Sequence, residues 1–315
     1  MTFPKKTLVL TGATGFMGSY VTAHALERGH RVIVLLRDTS NISRIHDWIA
    51  DCVVVNKSSQ PNAELAELIK AYEPDAWIHL AWRGVGGADR NESFQISTNL
   101  PDTLDSLTLA TAAGCHHWIG MGSQAEYGNP NCKITEECPT NPTTIYGKSK
   151  LASYWAAMGY TESVKMDFSW IRVFSTYGPK DHAEWLIPYL IGQFSLGLSP
   201  ELTACEQRWD YLYVEDAAAA ILDVVEARAT GVYNLGSGTA LPLMQIVEQV
   251  ASLCESHITP SFGKIPYRPD QVMWLESDIT KLTEKTGWRP RTDIETGLKR
   301  TVEWHRNSLP LEKSN

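Results

Sequence analysis

Short apolar runs alternate with amphipathic stretches through the first half of the chain. Thr7–Leu10, Arg31–Leu36, Cys52–Val55, Ala76–Leu80, His117–Gly120 and Phe168–Val173 each read as one strand. Between the first two, Met17, Val21 and Ala25 recur at helical spacing, and Gly29 follows as a stop. Strand, helix and strand in repetition build a parallel sheet with helices on its faces. The expected fold class is α/β, a Rossmann-type doubly wound parallel sheet. After Tyr177 the regularity breaks, as Pro179, Pro188, Pro200, Pro242, Pro260, Pro266, Pro269 and Pro290 punctuate shorter elements. Trp185, Trp209, Trp274 and Trp288 fall among them, which predicts a smaller C-terminal lobe. No internal repeat or low-complexity stretch interrupts the chain, and the tail after Arg306 is polar enough to fray.

Thr11-Gly12-Ala13-Thr14-Gly15-Phe16-Met17-Gly18 follows the first strand at once and opens the first helix. Glycines at 12, 15 and 18 permit a tight turn, close approach of a pyrophosphate and close packing of helix on sheet. Glycines alone would fit any cramped turn; the strand before and the helix after make this a dinucleotide site. Gly12, Thr14, Gly15, Phe16, Met17 and Gly18 are its candidate contacts. The second strand bears on which dinucleotide. An NAD-specific site ends this strand with an acidic residue for the adenosine ribose, and here the corresponding place holds Leu36, followed by Arg37. Arg37, with Ser40, Asn41 and Arg44 nearby, is equipped to bind a 2′-phosphate, so NADP(H) is the expected cofactor. The alternative is a solvated Arg37 with Asp38 turned inward to the ribose.

Tyr146-Gly147-Lys148-Ser149-Lys150 puts a phenol and an ammonium four residues apart, on one face of a helix. Asn141-Pro142 leads into that helix, and Ser123 lies just beyond the fifth strand in Gly122-Ser123-Gln124-Ala125-Glu126-Tyr127-Gly128. Tyr146 is the candidate acid/base, with the Lys150 charge and the oxidised nicotinamide together expected to lower a phenol pKa that is ordinarily near 10. Ser123 would orient the same carbonyl oxygen, and Lys150 would also hold the nicotinamide ribose.

With these motifs the chain resembles the extended short-chain dehydrogenase/reductase family, in its nucleotide-sugar epimerase, dehydratase and reductase group. Ile78-His79-Leu80-Ala81 resembles the family's fourth strand, and Arg172-Val173-Phe174-Ser175-Thr176-Tyr177-Gly178-Pro179 its sixth. Arg208 to Asp216, Tyr233 to Gly238, Arg268-Pro269 and Gly287 to Pro290 match further family stretches, so the likeness spans nearly the whole chain. It implies a dinucleotide-binding domain over residues 1–177 with 210–238 returning to it, and a substrate-binding lobe from 178–209 and 239–315. Leu80 and Ala81 join the cofactor contacts. Trp82, Ser123, Gln124, Ser175, Arg208 and Arg268 are candidates for a nucleotide-sugar substrate, the two arginines for its diphosphate. Ser175 departs from the family, standing where a substrate-binding asparagine is usual.

The residues after Ser123 separate the reactions that the resemblance allows. Members similar to 4,6-dehydratases carry Asp-Glu where this chain has Gln124-Ala125, so the acid and base for eliminating water are missing. Members similar to bifunctional fucose synthases place a cysteine at Ala125 and a histidine near Lys180; neither matches, and His182 is expected to face solvent. Chemistry at one carbon remains. NADPH-dependent reduction of the 4-keto group of a nucleotide-linked 6-deoxysugar ranks first, 4-epimerisation second, and a non-catalytic NADP-binding sensor third.

Charge and cysteines narrow the remaining classes. A net charge of -8 would repel a nucleic acid backbone. No apolar run approaches bilayer length, and Met1 to Lys6 lacks a signal-peptide core, so a cytoplasmic location away from membranes is expected. The six cysteines are scattered without ligand spacing, and Cys115-His116-His117 leads straight into a strand, where neighbours point apart. No metal is expected. Relatives often dimerise through paired helices, which makes residues 99–113 and 146–158 a candidate homodimer face.

Overall fold

The computed structural model describes residues 4–58, 61–268 and 271–308. Pro269 and the tail beyond Ser308 lie outside them, as do the first three residues of the Met1–Lys6 stretch.

Seven strands form one parallel sheet: β1 (Thr7–Thr11), β2 (Arg31–Leu36), β3 (Val53–Asn56), β4 (Ala76–His79), β5 (His117–Ser123), β7 (Asp167–Val173) and β10 (Gly231–Leu235). Their spatial order is β10-β7-β5-β4-β1-β2-β3, so the chain runs outward from β1 to β3, crosses back to β4 and proceeds the other way. That reversal is the switch point at which open α/β sheets bind ligands. The α/β fold expected from the sequence is the observed one. Strands covered on both faces by helices read as continuous apolar runs, and every residue of β5 is buried.

Alternate residues feed two cores. Val9, Ile33, Trp77, Trp118 and Trp170 face one side with Leu107 and Ala110 of α4 (Asn99–Ala112) and Ala157 of α5 (Ile145–Val164). Leu8, Leu10, Val32, Val34, Ile78 and Ile119 face the other, against α1 (Phe16–Glu27) and α7 (Val214–Glu226). Between β3 and β4 runs α2 (Asn62–Lys70), and α3 (Phe94–Ser97) precedes α4. α1 ends as expected, with Gly29 in the left-handed region at φ 79°.

A second sheet of order β11-β9-β12-β6 carries the smaller lobe: β6 (Cys132–Ile134), β9 (Arg208–Tyr213), β11 (Ala240–Pro242) and β12 (Trp274–Ser277), with β8 (Ser175–Tyr177) paired to β9. Helices α6 (Leu186–Ser195), α8 (Leu243–Leu253) and α10 (Ile294–Ser308) close a third core around Tyr177, Tyr213 and Ile246, while α9 (Thr280–Thr286) returns to the main sheet. The expected partition differs from this in several places. β6 and β8 lie before residue 178 yet belong to the second sheet, and of the stretch 210–238 expected back on the main one, α7 and β10 return while residues 210–213 stay in β9. Strands of three residues are too short for an alternation pattern to declare. Trp288, expected in the lobe, is buried in the main-sheet core and donates its indole N–H to the Asp216 carbonyl. Among the described residues no helix is long and apolar enough to cross a membrane.

Candidate active site

In a parallel sheet all C-terminal strand ends share one edge. The turn after β1, Arg37 after β2, Leu80 to Trp82 after β4 and Ser123 at the end of β5 therefore gather there. A Cβ on Gly12 would lie 2.5 Å from the Ala81 backbone nitrogen, and one on Gly18 would collide with the Gly12 carbonyl. The turn is thus clamped between Leu80-Ala81 and the first turn of α1. A Cβ on Gly15 would meet only the Gly12 oxygen, at 3.2 Å, and its outer side is open to a phosphate. No acidic residue and no side-chain cap occupy the first turn of α1, so its N–H groups are free for an anion. These features fit a dinucleotide pyrophosphate.

Arg37 is exposed, and among the described residues its guanidinium has no protein partner. Its neighbours are already occupied. The Ser40 hydroxyl accepts the Arg37 N–H at 2.9 Å, Asn41 caps Ser43 at 2.9 Å, and Arg44 Nε donates to the Lys180 carbonyl at 3.0 Å. The Asp38 carboxylate accepts from Asn56 Nδ2 at 2.6 Å.

Thr144 caps α5, accepting the Gly147 N–H at 3.1 Å, and this fixes the start of the helix that bears Tyr146 and Lys150. Both side chains are buried beside Ser123. Burial pushes the Tyr146 phenol above its usual pKa, opposed by a hydrogen bond with Ser123 and by the Arg90 charge. Lys150 is not among the groups that lower it in this ligand-free structure. The Lys150 ammonium lies 6.0 Å from the Tyr146 ring centroid and instead donates to the Met121 carbonyl at 2.7 Å, beneath the Trp82 indole at 3.6 Å. Burial holds Lys150 down to about 7. A buried phenol, a hydroxyl hydrogen-bonded to it and a buried amine are together chemically able to donate a proton to a carbonyl oxygen.

Sequence reasoning passed over the support of this site. Glu126 and Arg172 are 0% and 4% exposed, and the Glu126 carboxylate accepts from Arg172 Nε at 2.8 Å, Trp170 Nε1 at 3.0 Å and the Ser123 backbone N–H at 2.8 Å. Arg172 continues to the Tyr127 hydroxyl at 2.8 Å, which donates to Asn234 Oδ1 at 2.7 Å. The chain of bonds runs from Ser123 across β7 to β10. A cation alternating with Trp170 on a buried strand was the signal for it, since such a charge requires a carboxylate.

Ser175 accepts the Trp209 indole N–H at 2.6 Å, Arg208 is exposed with one guanidinium nitrogen on the Ala240 carbonyl, and Arg268 is exposed. His182 faces solvent. Cys115 is buried and His117 bonds Ser169 at 2.7 Å, so the Cys115-His116-His117 run does not converge. Among the described residues no three potential ligands cluster around a metal site.

This edge, with a glycine turn at one end and a buried Ser, Tyr, Lys set at the other, defines a dinucleotide-dependent enzyme. The chain belongs to the NAD dependent epimerase/dehydratase family, whose model matches residues 8–236, and so to the extended short-chain dehydrogenases/reductases that act on nucleotide sugars. It is 26% identical to a dTDP-glucose 4,6-dehydratase of Neisseria gonorrhoeae, over 96% of each chain. It is also 26% identical to a UDP-glucose 4-epimerase of Corynebacterium glutamicum, over 92% of each. Among solved structures, the dTDP-glucose 4,6-dehydratase of Streptomyces venezuelae with NAD and TYD bound superimposes with a TM-score of 0.83 at 25% identity, covering 96% of this chain and 97% of that one.

Proposed function

We propose that the protein reduces the 4-keto group of a nucleotide-linked sugar with NADPH. One observation carries this reading: the only carboxylate between Gly122 and Gly128, Glu126, is turned into the core and spent on Arg172, Trp170 and Ser123. Gln124 and Ala125 have no titratable group, so the segment beside Ser123 offers no acid or base for water elimination or enolisation. Chemistry at a single ketone carbon, reduction or 4-epimerisation, needs neither, and Arg37, suited to a 2′-phosphate, favours net reduction with NADPH.

The glycine turn, Leu80, Ala81, Tyr146 and Lys150 would hold the cofactor, and Arg37 its 2′-phosphate. When bound, NADPH supplies the hydride for C4. Ser123 donates to the carbonyl oxygen as negative charge develops, and Tyr146 delivers the proton. A phenol raised by burial suits this direction, because it arrives protonated. Trp82, Gln124, Ser175, Arg208 and Arg268 remain the proposed substrate contacts. The helix face bearing Leu104 and Trp155, the latter 55% exposed, is the proposed homodimer surface. A monomeric mass in solution would overturn that last assignment.

The test is incubation with NADPH and a 4-keto-6-deoxy nucleotide sugar in D₂O, with the product read by NMR. Hydride from NADPH at C4 and no enzyme-dependent deuterium at C3 or C5 is expected. Deuterium at either position would reveal a base and refute simple reduction. A 4-epimerase is the second reading, favoured by the epimerase relatives. Interconversion of C4 epimers without net cofactor oxidation would establish it instead.

A further inference from the structure

Lys150 is a buried ammonium with little to keep it charged. Among the described residues it makes one hydrogen bond, to the Met121 carbonyl, and no ion pair. Glu126 is the carboxylate that favours its charged form, yet that group is committed to Arg172. What covers the ammonium is the face of Trp82, 3.6 Å from Nζ to the ring centroid. The indole is held in place on two sides. Its N–H donates to Gln95 Oε1 at 2.9 Å, and its ring meets Tyr146 edge to face at 6.0 Å. Gln95 is itself fully buried and bonded to Asn99 at 3.0 Å, so the platform is rigid.

We propose that Trp82 is a positioning residue that keeps Lys150 protonated at neutral pH through its indole face, doing for the active-site cation what a carboxylate does elsewhere. A cation–π contact in a desolvated site is worth roughly enough to move an ammonium pKa by about one unit or slightly more. Burial pulls Lys150 down towards neutral pH, so a contribution of that size bears on whether the site is charged there. The other groups facing it are few. Glu126 from the turn after β5 raises its pKa, His79 on β4 is held neutral at about 3, and Tyr146 stays protonated on the same helix. Arg90, from the loop after β4, acts on Tyr146.

The experiment titrates Lys150 directly in the full chain. Lysine labelled with ¹³C at Cε is followed by NMR, with the Lys150 signal assigned from its loss in Lys150→Arg. Fluorinated tryptophans placed at position 82 alone weaken the ring's attraction in steps without changing its shape, so folding is not in question. The Lys150 midpoint should fall with each fluorine and fall by about one pH unit in Trp82→Leu, while Trp82→Phe retains most of it. A midpoint that does not move through the fluorinated series overturns the proposal. Its link to turnover rests on the catalytic reading of Lys150. If an ammonium is needed, the alkaline fall of kcat/KM moves to lower pH by the same amount. A limb that stays fixed while the midpoint shifts refutes that catalytic role and leaves the indole's hold on Lys150 standing.

Discussion

Glu126→Ala tests whether the site rests on the buried bond network beneath it. The substitution removes the acceptor of three donors at once: Arg172 Nε, Trp170 Nε1 and the Ser123 N–H. Arg172 is left as a cation at 4% exposure, with the Tyr127 hydroxyl its remaining bond, and breaking a buried pair in this way costs about 3–5 kcal/mol. Gly122 shows how little space there is to relax, since a Cβ there would sit 2.5 Å from Glu126 Oε1. Urea unfolding, read by circular dichroism with and without cofactor, measures the loss. A double variant, Glu126→Leu with Arg172→Met, removes the orphaned charge and should recover part of it. Recovery stays incomplete because Trp170 Nε1 and the Ser123 N–H are still unpaired, at about 1–3 kcal/mol each. A loss below about 1 kcal/mol for Glu126→Ala would refute the network as a buried ion pair. A double variant as unstable as the sum of the single ones would show that volume, not charge, dominates.

Tyr146→Phe should still bind NADPH and lose on the order of 10²- to 10⁴-fold in turnover; near-normal turnover would remove Tyr146 from the acid role. Arg37→Ala should weaken NADPH binding by about 1.5–3 kcal/mol in calorimetry and leave NADH nearly untouched, and an equal loss for both would show that Arg37 does not read the phosphate. Acid should destabilise the fold through its buried neutral histidines. His117 is held to about 4 against an ordinary 6.5, so its contribution of about 3 kcal/mol is present above pH 6.5 and lost as pH falls towards 4. His117→Asn should flatten unfolding curves across that window, and an unchanged slope would place the acid sensitivity elsewhere.

The parts legible in the sequence were those that obey a local period. Arg31–Leu36 is a strand in the pattern and in the fold, and the expected end of the fifth strand at Gly120 falls short only because Met121-Gly122-Ser123 carries too little apolar character to extend it. The glycine turn was legible because its three glycines answer to three separate close approaches, two of which the backbone around Gly12 and Gly18 displays. What stayed hidden was long-range. Glu126 and Arg172 are neighbours only because β5 pairs with β7 in a register that sets Gly122 against Arg172, and no window of sequence contains both partners. Trp82 was legible only as a substrate candidate, and the contact of its face with an ammonium on α5 was not. Residues 82 and 150 meet through the crossover from β4 to β5 and the docking of α5, a contact set by packing. The chemistry of a site built on strand ends is therefore divided. Its reacting groups announce themselves by motif, whereas the groups that set their charge and hold them in place are contributed by other strands and appear only when the sheet is assembled.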